Sequence, residues 1–212
     1  MRSNKRITIF WLVLLACLFS LSGGCTRETR IEILRYERQV EEQRLAKDKY
    51  FREPANSPLL PEQIGPFKGL KYFPIDHKYK VMARLLRQVD ATPFMIQESN
   101  GSARTYTRQG KLEFELAGKT YTLMAYRESG QPRKAGEAEV LFIPFTDLTT
   151  GQESYGAGRY LEPEVQSGEV VLLDFNLAYN PYCAYNSKWS CPIPPPENKL
   201  GLEIRAGEKS FH

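Results

Sequence analysis

Histidine and cysteine are scarce in this chain of 212 residues, which holds two of the first and four of the second. So little imidazole leaves small scope for general-base or nucleophilic catalysis. His212 is the terminal residue, and His77 sits in the turn Pro74-Ile75-Asp76-His77, where a solvated role is expected. Cys183 and Cys191, with no histidine beside them, make a weak zinc signature, and no metal site is expected. No apolar run reaches the roughly 20 residues that a membrane-crossing helix needs. The longest, Ile7 to Leu21, would reach only roughly 22 Å at 1.5 Å per residue. Concentrated positive charge is also missing. The net charge of +4 includes Arg2, Lys5 and Arg6, so +1 remains beyond residue 24, too little for a nucleic-acid partner. There is no internal repeat, and past Pro54 no helical run long enough for a βαβ unit, which excludes a doubly wound sheet. Gly151 to Gly156 misses the G-x-S-x-G elbow by one residue, and Gly156-Ala157-Gly158 lacks the third glycine of a dinucleotide loop. Neither identifies a cofactor. An EF-hand reading of the segment from Asp147 fails because Gly158 stands where a carboxylate is required.

What the chain does have begins at its amino terminus. A basic segment, an apolar run and then Leu21-Ser22-Gly23-Gly24-Cys25 resemble a lipoprotein signal peptide, with Cys25 as the lipid-bearing residue. The usual leucine three residues before the cysteine is displaced to Leu21. Several acyl chains, each buried CH₂ contributing about 0.8 kcal/mol, would make the membrane anchor stable. The expected address is the cell envelope, and Thr26 after the cysteine fits sorting to the outer membrane, facing the periplasm, in a cell with two membranes. The expected organisation is a signal over 1–24, a lipidated cysteine and charged helical tether over 25–53, and one β-rich domain over 54–212. Arg30 to Arg52 has helix-forming composition with i, i+4 charge pairs such as Arg38 with Glu42 and Arg44 with Asp48. Glu53-Pro54 stops it, and its carboxyl end, at Tyr50 and Phe51, is expected to dock. In an oxidising compartment Cys183 and Cys191 are expected to form a disulfide.

From residue 79 the period changes. Tyr79–Leu85, Lys111–Leu116 and Thr120–Tyr126 mostly alternate apolar with polar residues, as strands with one buried face do. Gly110 and Ala117-Gly118-Lys119 occupy positions suited to hairpin turns. Val140–Phe145 and Val170–Phe175 are more continuously apolar and read as strands buried on both faces, with Leu202–Ile204 as the last strand. The fold class that follows is mainly β, an antiparallel barrel or sandwich of about seven to nine strands preceded by an N-terminal helix.

The densest candidate site runs from Asn176 to Asn198. Tyr179, Tyr182 and Tyr185 alternate there with Asn176, Asn180 and Asn186, then Trp189, Glu197 and Asn198 follow. Aromatic faces stack on flat or C–H-rich ligands and amides offer both donor and acceptor, a set suited to a small polar ligand or envelope glycan. The same residues could equally serve as core and turn formers. Asp147 with Thr149 suits an Asx-type turn, with Tyr155 and Arg159 following. Arg159, Asp147, Asp174, Glu197 and Lys209 could converge if the late strands pair. Arg159 would then act either as a buried clamp, on Asp174, or as the anchor of an anionic ligand. The ligand-binding candidates are therefore Asp147, Tyr155, Arg159, Asp174, Asn176, Tyr179, Asn180, Tyr185, Glu197 and Asn198.

Lys47-Asp48-x-x-Phe51, Ser57-Pro58-Leu59, Phe67-x-Gly69-Leu70-x-Tyr72-Phe73, Gly158-Arg159-Tyr160, Asp174-Phe175-Asn176-x-Ala178-Tyr179-Asn180-Pro181, Cys191-Pro192, Pro195-Pro196-Glu197-Asn198 and Ala206-Gly207-Glu208-Lys209 together resemble the bacterial domain-of-unknown-function family sixteen-eighty-four. The resemblance implies a single β-rich domain, sometimes lipid-anchored, and carries no activity. The reading that follows is a lipid-anchored envelope protein whose β domain binds a small polar ligand without catalysis. The alternative is a hydrolytic or redox enzyme using carboxylates from Asp147, Asp174 and Glu197, Arg159, or the Cys183 thiolate.

Overall fold

The computed structural model of the chain describes residues 5–88, 92–130 and 136–212, with side chains from Thr29 onward. The side chains of the leader and of Cys25, and with them the expected lipid attachment, lie outside what is described. The backbone runs as a helix, α1, over Lys5–Arg52. No helix among the described residues is long and apolar enough to cross a membrane. Residues 1–45 and 46–212 form two compact units, so Ala46–Arg52, the last turns of α1, pack with the β-rich unit. The side chains explain this. Phe51 is fully buried with Leu59, Ala184 and Tyr185, its ring stacked 5.8 Å from Phe67 and edge-on 4.8 Å from Tyr185. Asp48 Oδ1 accepts from the Leu70 N–H at 2.9 Å.

The described residues contain a curled, half-barrel antiparallel sheet of six strands and a separate two-stranded ladder. The long strand β3 (Ala103–Leu116) organises the sheet. β4 (Lys119–Glu128) pairs with it from Leu116↔Lys119 to Tyr106↔Glu128. β2 (Pro93–Gln97) pairs with Ala103–Thr107, and β1 (Lys80–Arg87) pairs with Gly110–Phe114. β8 (Val170–Asp174) extends β1, and β7 (Val165–Gln166) extends β8. β5 (Ile143–Phe145) and β6 (Arg159–Leu161) form the second ladder. The class expected from the alternation is thus present. Leu112, Phe114 and Leu116 point inward from β3 while Lys111 and Glu115 stay exposed. With Leu85, Leu123, Ile143, Val171, Leu173 and Phe175 they make the main core, each such side chain contributing about 1.5–3 kcal/mol by its burial.

Three expectations are corrected. Gly110 makes no turn: it lies inside β3 at a register shift after Arg108. Its φ of 150° and a Cβ that would stand 2.5 Å from the Leu86 carbonyl oxygen explain the glycine. The hairpin turn is at Ala117-Gly118 alone, both with φ > 0, as a tight β-hairpin demands. Val140 makes only an isolated bridge to Glu164, and the regular strand starts at Ile143. Leu202–Ile204 is not a strand: its carbonyls go to three separate partners, Leu202 O to the Leu148 N–H at 3.0 Å, Glu203 O to the Tyr79 hydroxyl at 3.2 Å and Ile204 O to a buried guanidinium at 2.8 Å.

Candidate functional site: an aromatic cleft

That guanidinium belongs to Arg159, at the start of β6 and 1% exposed. It donates to Asp147 Oδ2 at 2.6 Å, to Ile204 O at 2.8 Å, to Glu208 O at 3.2 Å, and to Ala206 O. Asp147 is held in turn by the Thr149 N–H on its other oxygen, at 2.6 Å, which is the expected Asx-type turn. Burial pushes the arginine pKa down while Asp147 pulls it up. Arg159 is therefore clamped by Asp147, not Asp174, and its donors face the protein.

The other expected ligand groups are distributed rather than gathered. Asp174 caps a 3-10 turn by accepting from the Asn176 N–H at 3.1 Å. The Asn176 amide bonds both the N–H and the carbonyl of Asp76. Asn198, with no exposed surface, accepts from Met124 N–H at 2.6 Å and donates to Met124 O and Pro144 O at 2.9 and 2.8 Å. It stands in for a strand edge between β4 and β5. Glu197 holds Arg108 at 3.0 Å and accepts from the Tyr126 hydroxyl at 2.9 Å. Glu208, 1% exposed, accepts from Asn180 N–H at 2.9 Å and from the Tyr185 hydroxyl, and pairs with Lys47 Nζ at 2.5 Å. The three carboxylates considered for catalysis thus each serve a different partner.

Of the ten residues, Tyr179 lines the open cleft of about 730 Å³ on this unit. Tyr106, Tyr126 and Phe142 form one wall, and Tyr160 and Tyr179 continue it. Tyr182 and Trp189 close it from the loop after β8. The rings are in contact: Tyr106 stacks on Phe142 at 5.6 Å, Phe142 meets Tyr160 edge-on at 4.9 Å, and Tyr160 meets Tyr179 edge-on at 5.8 Å. Tyr182 and Trp189 lie 5.1 Å apart. Backbone pairing sets this row, through the bridges Tyr126↔Phe142 and Tyr160↔Tyr179. Tyrosine hydroxyls are tied back into the protein, Tyr160 to the Pro192 carbonyl and Tyr126 to Glu197. Burial pushes Tyr106 and Tyr182 up to about 12 and raises Tyr126, Tyr160 and Tyr179 as well. All five phenols are neutral near pH 7, so the cleft offers no phenolate base; Tyr106, Tyr126 and Tyr160 are buried behind its surface, and the rings that keep exposed area are Phe142, Tyr179, Tyr182 and Trp189. Charge enters at the lining through Lys47, 4.8 Å above the Tyr179 ring, and through Arg104, Arg127, Glu128 and Glu162. Arg104 pairs with Glu98 at 2.7 Å and Arg127 with Glu139 at 3.0 Å.

Residue reasoning did not reach Tyr106, Tyr126, Phe142 or Tyr160. Their signal is one aromatic residue at corresponding ends of successive strands, visible once register is known.

Cys191 also lines the cleft. The disulfide expected between it and Cys183 is not formed, since both are free cysteines. The Cys183 N–H donates to Cys191 Sγ at 3.3 Å, and the Tyr155 hydroxyl donates to Cys183 Sγ at 3.7 Å. Among the described residues, no group of three or more His, Cys, Asp or Glu side chains could hold a metal ion.

The family model described as "Protein of unknown function (DUF1684)" matches residues 65–209, which contain the whole cleft lining except Lys47. The solution NMR structure of an uncharacterized protein of Haloarcula marismortui is 38% identical, with a TM-score of 0.64 over 85% of this chain and 98% of that one. No curated protein matches.

Proposed function

This chain belongs to the DUF1684 family; from its leader ending in Leu21-Ser22-Gly23-Gly24-Cys25 and from its cleft we propose that it is an envelope lipoprotein, acylated at Cys25, whose β-rich unit holds a small amphipathic ligand in the aromatic cleft. The observation that carries the ligand reading is the cleft of about 730 Å³, in which Phe142, Tyr179, Tyr182 and Trp189 keep exposed ring area over the buried rings of Tyr106, Tyr126 and Tyr160. That volume lies within the range of roughly 300–1,000 Å³ typical of small-molecule sites. With Tyr126 and Tyr160 buried and their hydroxyls engaged by the protein, the groups left to a ligand are the rings of Phe142, Tyr179, Tyr182 and Trp189 and a few charged tips. The ligand class is one with a flat or C–H-rich face and a polar edge, as in a short glycan. The neutral phenols and the dispersed carboxylates support binding without turnover.

Two tryptophans are present, Trp11 and Trp189. In a Trp11→Phe chain Trp189, 43% exposed at the cleft, becomes a fluorescent reporter. Titration with short envelope glycans and planar aromatic carboxylates is expected to shift its emission saturably. Tyr182→Ala is expected to weaken binding about tenfold, since an aromatic contact supplies about 0.5–1.5 kcal/mol beyond its area. A flat titration across the panel, or an affinity unmoved by Tyr182→Ala, refutes the cleft as the site. Cys25→Ser is expected to move the protein from the membrane to the soluble fraction and to abolish incorporation of labelled fatty acid. Unchanged fractionation refutes the anchor.

A further inference from the structure

The loop from Tyr182 to Pro192 brings two thiols together and fixes both ends. Cys183 sits in a 3-10 turn, Tyr182–Ala184, whose Tyr182 carbonyl accepts from the Tyr185 and Asn186 N–H groups at 3.0 and 3.2 Å. Between the cysteines, the Asn186 side chain accepts from Lys188 N–H at 3.0 Å and Trp189 N–H bonds Asn186 O at 3.1 Å. The Trp189 ring packs on Tyr182. Cys191 is tied to the β2–β3 turn: its N–H donates to Ser99 Oγ at 3.2 Å and its carbonyl accepts from Ser99 N–H at 3.0 Å. Two sulfurs are thus side by side with no covalent bond, on backbone already ordered to hold them there.

Their surroundings differ. Cys183 is half-buried, while Cys191 is 8% exposed. The groups that face Cys183 are the Cys191 thiol, the Tyr155 hydroxyl and Ser99, all donors to its sulfur. Together they bring its pKa down to about 6, and the proximity of a Cys183 thiolate pushes Cys191 up. One sulfur is a ready nucleophile and the other a protonated resolving partner.

We propose that Cys183 and Cys191 form a reversible dithiol site at the edge of the aromatic cleft, which takes low-molecular-weight disulfides as its oxidants, with Cys183 the attacking sulfur. The Cys183 thiolate attacks one sulfur of the small disulfide, whose S–S bond breaks and releases one small thiolate. Cys191 then loses its proton, and its sulfur attacks Cys183 Sγ and expels the second small thiolate. The protein pair gives up two electrons and two protons, and the small disulfide becomes two thiols. The site stands independently of any cleft ligand, although Cys191 belongs to the cleft wall.

Trypsin cuts after Lys188, between the two cysteines, so their peptides stay joined only through a disulfide. The full-length reduced protein is incubated with glutathione disulfide near pH 7, blocked with N-ethylmaleimide and digested. The expected result is a linked pair, Cys183 peptide to Cys191 peptide, which dithiothreitol separates. Cys191→Ser is expected to accumulate the glutathione mixed disulfide on Cys183. In the unmutated protein, brief iodoacetamide treatment is expected to label Cys183 at least tenfold faster than Cys191, with half-maximal rate near pH 6. Recovery of both peptides as free thiols after incubation with glutathione disulfide overturns the proposal. Equal labelling rates at the two cysteines overturn the assignment of Cys183 as attacker.

Discussion

Replacing Asp147 by asparagine tests the claim that Arg159 is a clamp. The substitution keeps size and shape and removes one charge. Asp147 serves two donors, Thr149 N–H on one oxygen and Arg159 on the other, both at 2.6 Å. Asparagine has a single oxygen, so either the guanidinium or the Thr149 N–H must face an amide NH₂. In the first case a cation 1% exposed loses its counter-charge and keeps the carbonyls of Ile204, Ala206 and Glu208 and a long contact of 3.5 Å to Thr149 Oγ1. Its Nε already has no hydrogen-bond partner. Removing one partner of a buried ion pair costs about 3–5 kcal/mol. The surviving carbonyls put the expected loss at the lower end, about 3 kcal/mol. With a urea slope of about 2 kcal/mol per molar, the unfolding midpoint should fall by about 1.5 M. Raising salt should leave this difference largely unchanged, because buried pairs are weakly screened. In Asp147→Asn with Arg159→Met, removal of the uncompensated cation should recover at least about 1 kcal/mol relative to the summed single losses. A single-variant loss under about 1 kcal/mol, or simple additivity in the double variant, refutes the reasoning.

Asn198→Ala deprives the Met124 N–H of its acceptor and two carbonyls of their donor. At about 1–3 kcal/mol for a buried group left unsatisfied, the expected loss is about 2–4 kcal/mol by denaturation, with faster exchange of the Met124 amide. Lys47→Met leaves the Glu208 carboxylate with Asn180 N–H and the Tyr185 hydroxyl but without its cation. A loss of about 2–3 kcal/mol is expected in the same assay. Gly207 and Gly118 have nearly equal φ, 75° and 73°, and opposite space. A Cβ at Gly207 would stand 2.4 Å from Ala178 O and 2.7 Å from Phe175 O, while one at Gly118 meets nothing within 4 Å. Gly118→Ala should therefore cost about 1 kcal/mol, the conformational part alone. Gly207→Ala should cost at least about 3 kcal/mol, because two backbone carbonyls must move. Equal melting shifts would contradict the steric account.

Local chemistry made much of the fold legible. Alternation in Lys111–Leu116 and Thr120–Tyr126 places the hairpin of β3 and β4, and Ala117-Gly118 marks its turn, because period 2 and positive φ are properties of neighbouring residues. Glu53-Pro54 ends α1, and Asp147 with Thr149 makes its own turn, for the same reason. Leu202–Ile204 misled because apolar alternation says which face is inward, not what its carbonyls will bond. Those carbonyls went to Leu148, Tyr79 and Arg159, each more than forty positions earlier in the chain. Asn198 likewise reads as a turn or ligand amide until β4 and β5 bring Met124 and Pro144 to it, 74 and 54 residues away in sequence. The cleft is the extreme case. Tyr106, Phe142, Tyr160 and Tyr179 become one wall only through strand register, and register depends on the packing of a whole sheet. Composition and spacing could therefore declare a β-rich unit stocked with aromatic and amide groups. Which of them are consumed in holding the chain together, and which keep a face toward the cleft, depends on long-range pairing that no local window contains.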